Sequence, residues 1–141
     1  MPVSEPKEKP KPIIYLIDPD RKLQSELMKL FRRAGFDAAS YGSAEEFLDA
    51  ENELARFGCI VSEMKLPGAD GLELLRLLHV RNSRLPLVIL TSDPDVGRAV
   101  TALHNKVSDY LVKPVIEREL ITRIKTALRE PQDSHGHAQN G

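Results

Sequence analysis

A chain of 141 residues with 41% hydrophobic content and a formal net charge of −1 can build one core without disulfide or metal staples and is too short for two full domains. The near-neutral balance lacks the basic excess of a nucleic-acid binder. The single cysteine, Cys59, excludes an internal disulfide framework and fits a reducing, cytoplasmic setting, and the longest apolar runs, Ile13 to Ile17 and Leu85 to Leu90, are too short to span a bilayer.

In chain order, residues 1–12 (MPVSEPKEKPKP) hold four prolines, three lysines and two glutamates. They have no apolar core and read as a disordered or extended arm, not a secretory signal. IIYLI from residue 13 is the nearly continuous apolar run of a strand buried on both faces. Asp20 is placed to cap a helix carrying Leu23, Leu27, Leu30 and Phe31, which Gly35 ends. DAASY is a weak second strand. Ser43, with Glu46 three positions on, has capping-box spacing for a second helix carrying Ala44, Phe47, Leu48 and Leu54. CIVS is the third strand. Asp70 is expected to cap a third helix with Leu72, Leu74, Leu75 and Leu78.

LPLVILT is the clearest strand. Asp93 and Pro94 look like a cap and first helical residue before Val96, Ala99, Val100 and Leu103. SDYLV is the fifth strand, Pro114 breaks the chain, and Ile116, Leu120, Ile121, Ile124 and Leu128 mark a last helix. The ordered domain is expected over 13–129. Residues 130–141 read as a flexible polar tail, with His135 and His137 part of it and not a metal site. His79 and His104 are expected at the surface, Cys59 in the core, and Asn105 is expected to take a positive φ beside Lys106.

Strands alternating with helices imply an α/β fold with a parallel sheet covered on both faces. Such sheets gather functional groups at the carboxyl ends of their strands. Those ends carry Asp18-Pro19-Asp20, Glu63, Thr91-Ser92 and Lys113-Pro114. One carboxylate at a strand end is ordinary turn chemistry, but four chain-distant polar sites on one rim form a candidate pocket.

The segments LIDPD, CIVSEMKLPGADGLELL, LPLVILTS and SDYLVKP resemble the response-regulator receiver family, from about Ile13 to Leu128. The resemblance implies a flavodoxin-like (CheY-like) five-stranded sheet of order 2-1-3-4-5 with five helices. It implies a role in two-component phosphorelay signalling. It places Asp18 at the first acidic position after the first strand, Pro19 where the family has its main Mg²⁺-ligating aspartate, and Glu63 at the phosphoacceptor position. Thr91 matches the hydroxyl that bonds phosphoryl oxygens, Lys113 the lysine that pairs with them, and Tyr110 the aromatic of the activation switch.

Two departures stand out. Pro19 supplies no side-chain oxygen, and Mg²⁺ tolerates a lost ligand poorly, so Mg²⁺ binding is expected to be weak or absent and no metal ligands are assigned. Glu63 sets its carboxylate one methylene further out, misplaced for in-line attack. Where three aspartates and a lysine sum to −2 in the family, Asp18, Glu63 and Lys113 sum to −1. Lys65 would bring this to zero, and Asp20, if turned inward, would restore −1. Glu63 either engages Lys113 and Thr91 in a fixed state resembling the activated one, or merely salt-bridges Lys113 or Lys65 in a decayed site.

The expected function is a stand-alone atypical receiver acting through protein contacts, without catalysis or conventional aspartate phosphorylation. Its partners would be a histidine kinase, another regulator or a second copy of itself. They would dock on the face made by the fourth helix, fifth strand and fifth helix, with Arg98, Val100, Tyr110, Glu117 and Ile121, and with Arg118, Arg123 and Lys125 nearby. The alternatives are a working phosphoacceptor served by a histidine kinase and, on the DxD of LIDPD, a small haloacid-dehalogenase-type phosphatase. Neither nucleic acid nor membrane is an expected partner.

Overall fold

A computed structural model describes residues 11–51, 57–92 and 95–129. The first ten residues of the expected arm, Leu54, the expected cap at Asp93-Pro94 and the expected tail with His135 and His137 lie outside the described residues. The elements run β1 (Ile13–Ile17), α1 (Arg21–Arg33), β2 (Asp37–Tyr41), α2 (Ala44–Glu51), β3 (Gly58–Ser62), α3 (Gly71–Val80), β4 (Leu87–Thr91), α4 (Val96–His104), β5 (Asp109–Val112) and α5 (Glu117–Arg129). All strand pairings are parallel, in the order β2-β1-β3-β4-β5, which is the expected topology.

Side-chain alternation along the three central strands splits the core in two. Ile13, Tyr15, Ile17, Ile60, Leu87 and Ile89 face Phe47 of α2, Leu74, Leu75 and Leu78 of α3, and Ala102 of α4. Ile14, Leu16, Cys59, Val61, Val88 and Leu90 face Leu27, Leu30 and Phe31 of α1 and Leu120, Ile124 and Ala127 of α5. Strands β1, β3 and β4 are buried throughout, while β2 and β5 at the edges are only half-buried. That difference is why DAASY carries so few apolar residues.

Helix starts follow the polar residues ahead of them. The Asp20 side chain accepts from Leu23 N at 3.1 Å and Asp70 from Glu73 N at 2.9 Å. Ser43 Oγ accepts from Glu46 N at 3.2 Å, while Glu46 reaches back to Gly42 N at 3.0 Å. Among the described residues α4 is capped by Asp95, which accepts from Arg98 N at 3.1 Å. The expected cap at Asp93 thus lies two residues too early. Asp95 stands directly before the helix, where its carboxylate meets the first free amides.

Three helices end in the same way. After α1, α3 and α4 the chain turns through a left-handed residue: Gly35 (φ 97°), Asn82 (φ 55°) and Lys106 (φ 70°). Paired bonds close each end: Gly35 N to Arg32 O and Phe36 N to Phe31 O, Asn82 N to His79 O and Ser83 N to Leu78 O, Lys106 N to Leu103 O and Val107 N to Ala102 O. This is the Schellman arrangement. It corrects the expectation for Asn105, which has φ −94°. Its N–H still serves the helix and its side-chain amide donates to Thr101 O at 2.9 Å, so the turn falls on Lys106.

Gly58 is required by close approach. A Cβ there would lie 2.0 Å from the carbonyl oxygen of Ile13, its partner in β1. Urea unfolding of Gly58→Ala is expected to show a loss of about 2 kcal/mol or more, because backbone, not a flexible side chain, must yield. Lys106→Gly is expected to gain about 0.5–1 kcal/mol by removing the left-handed penalty.

Candidate functional site

Backbone pairing continues one residue past the strand ends and sets the rim. Asp18 N donates to Tyr41 O at 3.0 Å, Glu63 N to Ile17 O at 2.9 Å and Lys113 N to Thr91 O at 2.8 Å. These bonds tie the end of β1 to those of β2 and β3 and the end of β5 to that of β4, and the β3–β4 pairing joins the two groups, so Asp18, Glu63, Thr91 and Lys113 converge. Asp18, Glu63 and Thr91 are buried.

The Glu63 carboxylate is ringed by donors. Its Oε1 accepts from Lys113 Nζ at 2.9 Å and from Ser92 N at 3.2 Å. Its Oε2 accepts from the Thr91 hydroxyl, from Met64 N at 2.7 Å and from Lys65 N at 3.1 Å. Lys113 Nζ also donates to Asp18 Oδ2 at 2.8 Å, and Asp18 Oδ1 accepts from Asp20 N at 2.8 Å. The main-chain end of β1 is tied down by Gln24, whose side-chain amide donates to Asp18 O at 2.5 Å and to Tyr41 O at 3.3 Å.

Burial pushes the Glu63 carboxyl up, but Thr91, Lys113 and the Lys65 N–H outweigh it and leave the group below the ordinary glutamate range. For Lys113 burial works against the charged ammonium, and Asp18 and Glu63 again outweigh it, raising its pKa. Both groups are therefore held charged.

The expected residues separate into those at the rim and those beside it. Asp20 is exposed and serves α1 as its cap. Pro19 is exposed. Lys65 contributes its backbone N–H while the residue is exposed, and Ser92 contributes backbone N–H from an exposed position. Tyr110 is half-buried and packs against the core on the α3–α4 side. Cys59 is fully buried and burial drives its thiol pKa up. His104 is exposed, whereas His79 is half-buried, short of the expected surface position, because it closes the cleft between α3 and α4 beside Leu75, Thr101 and Asn105.

Sequence reasoning missed the amides of Met64, Lys65 and Ser92, since any residue type carries such an N–H. It also missed the Lys113–Asp18 contact and the role of Gln24.

The family resemblance implies Mg²⁺ here, and this donor set does not fit it. Pro19 has no side-chain oxygen and Asp20 is engaged with Leu23 N. Both oxygens of Asp18 and both of Glu63 already hold donors. Octahedral oxygen coordination would require dismantling that network. A DxD phosphatase site likewise lacks its second acid, because Asp20 faces the helix end.

The residues of the expected docking face differ in depth. Val100 and Glu117 are exposed, but Arg98 is half-buried and paired with Asp70 at 2.8 Å, and Tyr110 and Ile121 pack inward. Arg123 pairs with Asp109 at 2.9 Å and Glu119 at 3.3 Å. The exposed apolar surface of this face comes from Val96, Val100 and Leu103 of α4, Val112 of β5 and Ile116 before α5.

The two pKa directions fix the pH dependence. The lowered Glu63 contributes stability above its unfolded value, about 4.3, that is lost as pH falls through its folded value. The raised Lys113 contributes stability below about 10.4 that is lost as pH rises through its folded value. Unfolding measured across pH should therefore show a loss at each extreme. Glu63→Gln should flatten the acid limb, and Lys113→Met should flatten the alkaline one.

The pattern of response regulator receiver domains matches residues 14–125. The transcriptional regulatory protein FixJ of Bradyrhizobium diazoefficiens is 38% identical over 119 residues, covering 84% of this chain and 58% of FixJ. The DNA-binding response regulator MtrA of Mycolicibacterium smegmatis is 33% identical over 120 residues, covering 85% of this chain and 52% of MtrA. Crystal structures of full-length FixJ from B. japonicum match with a TM-score of 0.80 at 38% identity, covering 86% of this chain and 59% of that one. The chain spans about half the length of the curated relatives it matches. Among the described residues no helix is long and apolar enough to cross a membrane. With the sheet order and the matched span in agreement, this chain belongs to the response-regulator receiver domain family of two-component signalling.

Proposed function

We propose that this receiver domain is a protein-interaction module whose Glu63 carboxylate takes the place of a bound phosphoryl group, so that signalling proceeds without conventional aspartate phosphorylation. The observation that carries the reading is the donor ring on Glu63. One hydroxyl, one ammonium and three backbone N–H groups converge on a buried carboxylate, which is the environment an oxyanion requires. Thr91 is drawn toward Glu63 and Tyr110 lies inward, as an activated arrangement demands. An oxygen whose lone pairs are occupied, on a group held ionised and 5% exposed, is a poor nucleophile toward an incoming phosphodonor.

Docking is proposed on the face of α4, β5 and α5, where Val100, Leu103, Val112 and Ile116 are 60%, 55%, 50% and 66% exposed. The partner would be a histidine kinase, another regulator or a second copy of the chain, in a cytoplasmic setting.

The family match favours a second reading, a working phosphoacceptor in which Glu63 takes a phosphoryl group from a histidine kinase. It speaks for this reading more directly than for the first, since the relatives are response regulators as a class. Incubation with acetyl phosphate and Mg²⁺ followed by intact-mass measurement separates the two. The parent chain is expected to stay unmodified. A Pro19→Asp, Glu63→Asp double variant, which regains a metal-side carboxylate and shortens the acid, is expected to gain Mg²⁺-dependent labelling by one phosphoryl group. Labelling of the parent at Glu63 would overturn the first reading.

A further inference from the structure

We infer that Glu45, at the start of α2, is a positioning residue for the Glu63 donor ring. It holds the loop between β3 and α3 in the form that aims the Met64 and Lys65 N–H groups at Glu63 Oε2. This rests on the phosphoryl-like reading of Glu63 and identifies a residue outside the rim that sustains it.

The loop leaves β3 at Glu63 and enters α3 at Gly71. Its base is closed by Gly71 N donating to Met64 O at 2.8 Å, and Gly71 fits because a Cβ there would meet Met64 Sδ at 3.0 Å and Met64 Cα at 3.1 Å. Leu66 anchors one side in the core. At the far side, Ala69 N donates to Glu45 Oε2 at 2.8 Å across 24 positions of sequence. Gly68, with φ 76°, makes room for that carboxylate, since a Cβ at this position would lie 2.6 Å from Glu45 Oε2 and 3.0 Å from Oε1. The left-handed turn and the missing side chain thus fit one acceptor.

The neighbouring acid has a different task, because Glu46 accepts from Gly42 N at the helix start. Two of the donors on Glu63 Oε2 are the first two amides of this loop. Main-chain direction is shared along so short a segment. The base stays tied by Gly71 N and by buried Met64 and Leu66, so releasing the loop at Ala69 loosens the segment and turns the Met64 and Lys65 amides only partly away from Glu63, while Thr91 and Lys113, which come from β4 and β5, stay.

The test uses the full chain, with carbon-13 titration of the Glu63 carboxyl and amide shifts of Met64 and Lys65 read by NMR. Glu45→Ala is expected to move both amides and raise the Glu63 midpoint by roughly half a pH unit, the worth of a weakened hydrogen bond. Glu45→Gln, which keeps an accepting oxygen, is expected to behave like the parent. Unchanged amides and midpoint in Glu45→Ala would overturn the inference, and so would a Glu45→Gln shift as large as that of Glu45→Ala. A parent midpoint in the ordinary glutamate range would instead overturn the reading of Glu63 itself.

Discussion

Lys113 sits between two carboxylates, 2.8 Å from Asp18 and 2.9 Å from Glu63, and the rest of the rim is arranged around that ammonium. Both acids are almost wholly buried, and a buried carboxylate without a partner carries a large desolvation cost. The lysine lets β1 and β3 end in acids side by side. It arrives from β5, which pairs with β4 and not with either of them, so the contact also locks the sheet across its middle. Thr91 and the three amides then complete the shell. The site is thus satisfied from within by the protein's own groups, and this separates it from a cleft that recruits a cation to balance excess acid.

Substituting glutamate for aspartate at a strand end is conservative in charge and not in reach. The added methylene carries the carboxylate outward to where Ser92 N, Thr91 and Lys65 N meet. On the proposed reading, the charge that a receiver ordinarily acquires by chemistry would be supplied by the chain itself. The family match and the pocket geometry pull in different directions on this point: the first comes from the fold and its motifs, the second from one residue and its neighbours.

Much of the fold was legible because the physical signals were strong. Continuous apolar runs marked β1 and β4, whose residues are buried on both faces, and Asp20, Ser43 and Asp70 marked helix starts through one short-range bond each. The rim residues were legible as types at strand ends. What escaped depended on direction. Nothing in SDPD tells which aspartate meets the α4 amides, and nothing in Asn105-Lys106 tells which residue turns left-handed, because the choice follows from where the helical bonds run out. How deeply each side chain on the α4, β5 and α5 face sits was not legible for a related reason. Arg98, Tyr110 and Ile121 each have an inward partner supplied by a distant element.

Asp70 has two occupations at once. One oxygen caps α3 through Glu73 N, and the other holds Arg98 of α4 at 2.8 Å. Its carboxyl pKa is lowered: burial raises it, and the Glu73 N–H together with Arg98 more than compensates. Helix α4 bears the exposed Val96, Val100 and Leu103. Any swing of that ridge away from α3 must therefore strip a half-buried anion of its counterion. The domain presents α4 as a braced strut, with stiffness set by a charge pair outside the pocket. A partner docking on the proposed face would meet a surface already organised, with the entropy of ordering it spent at folding instead of at encounter.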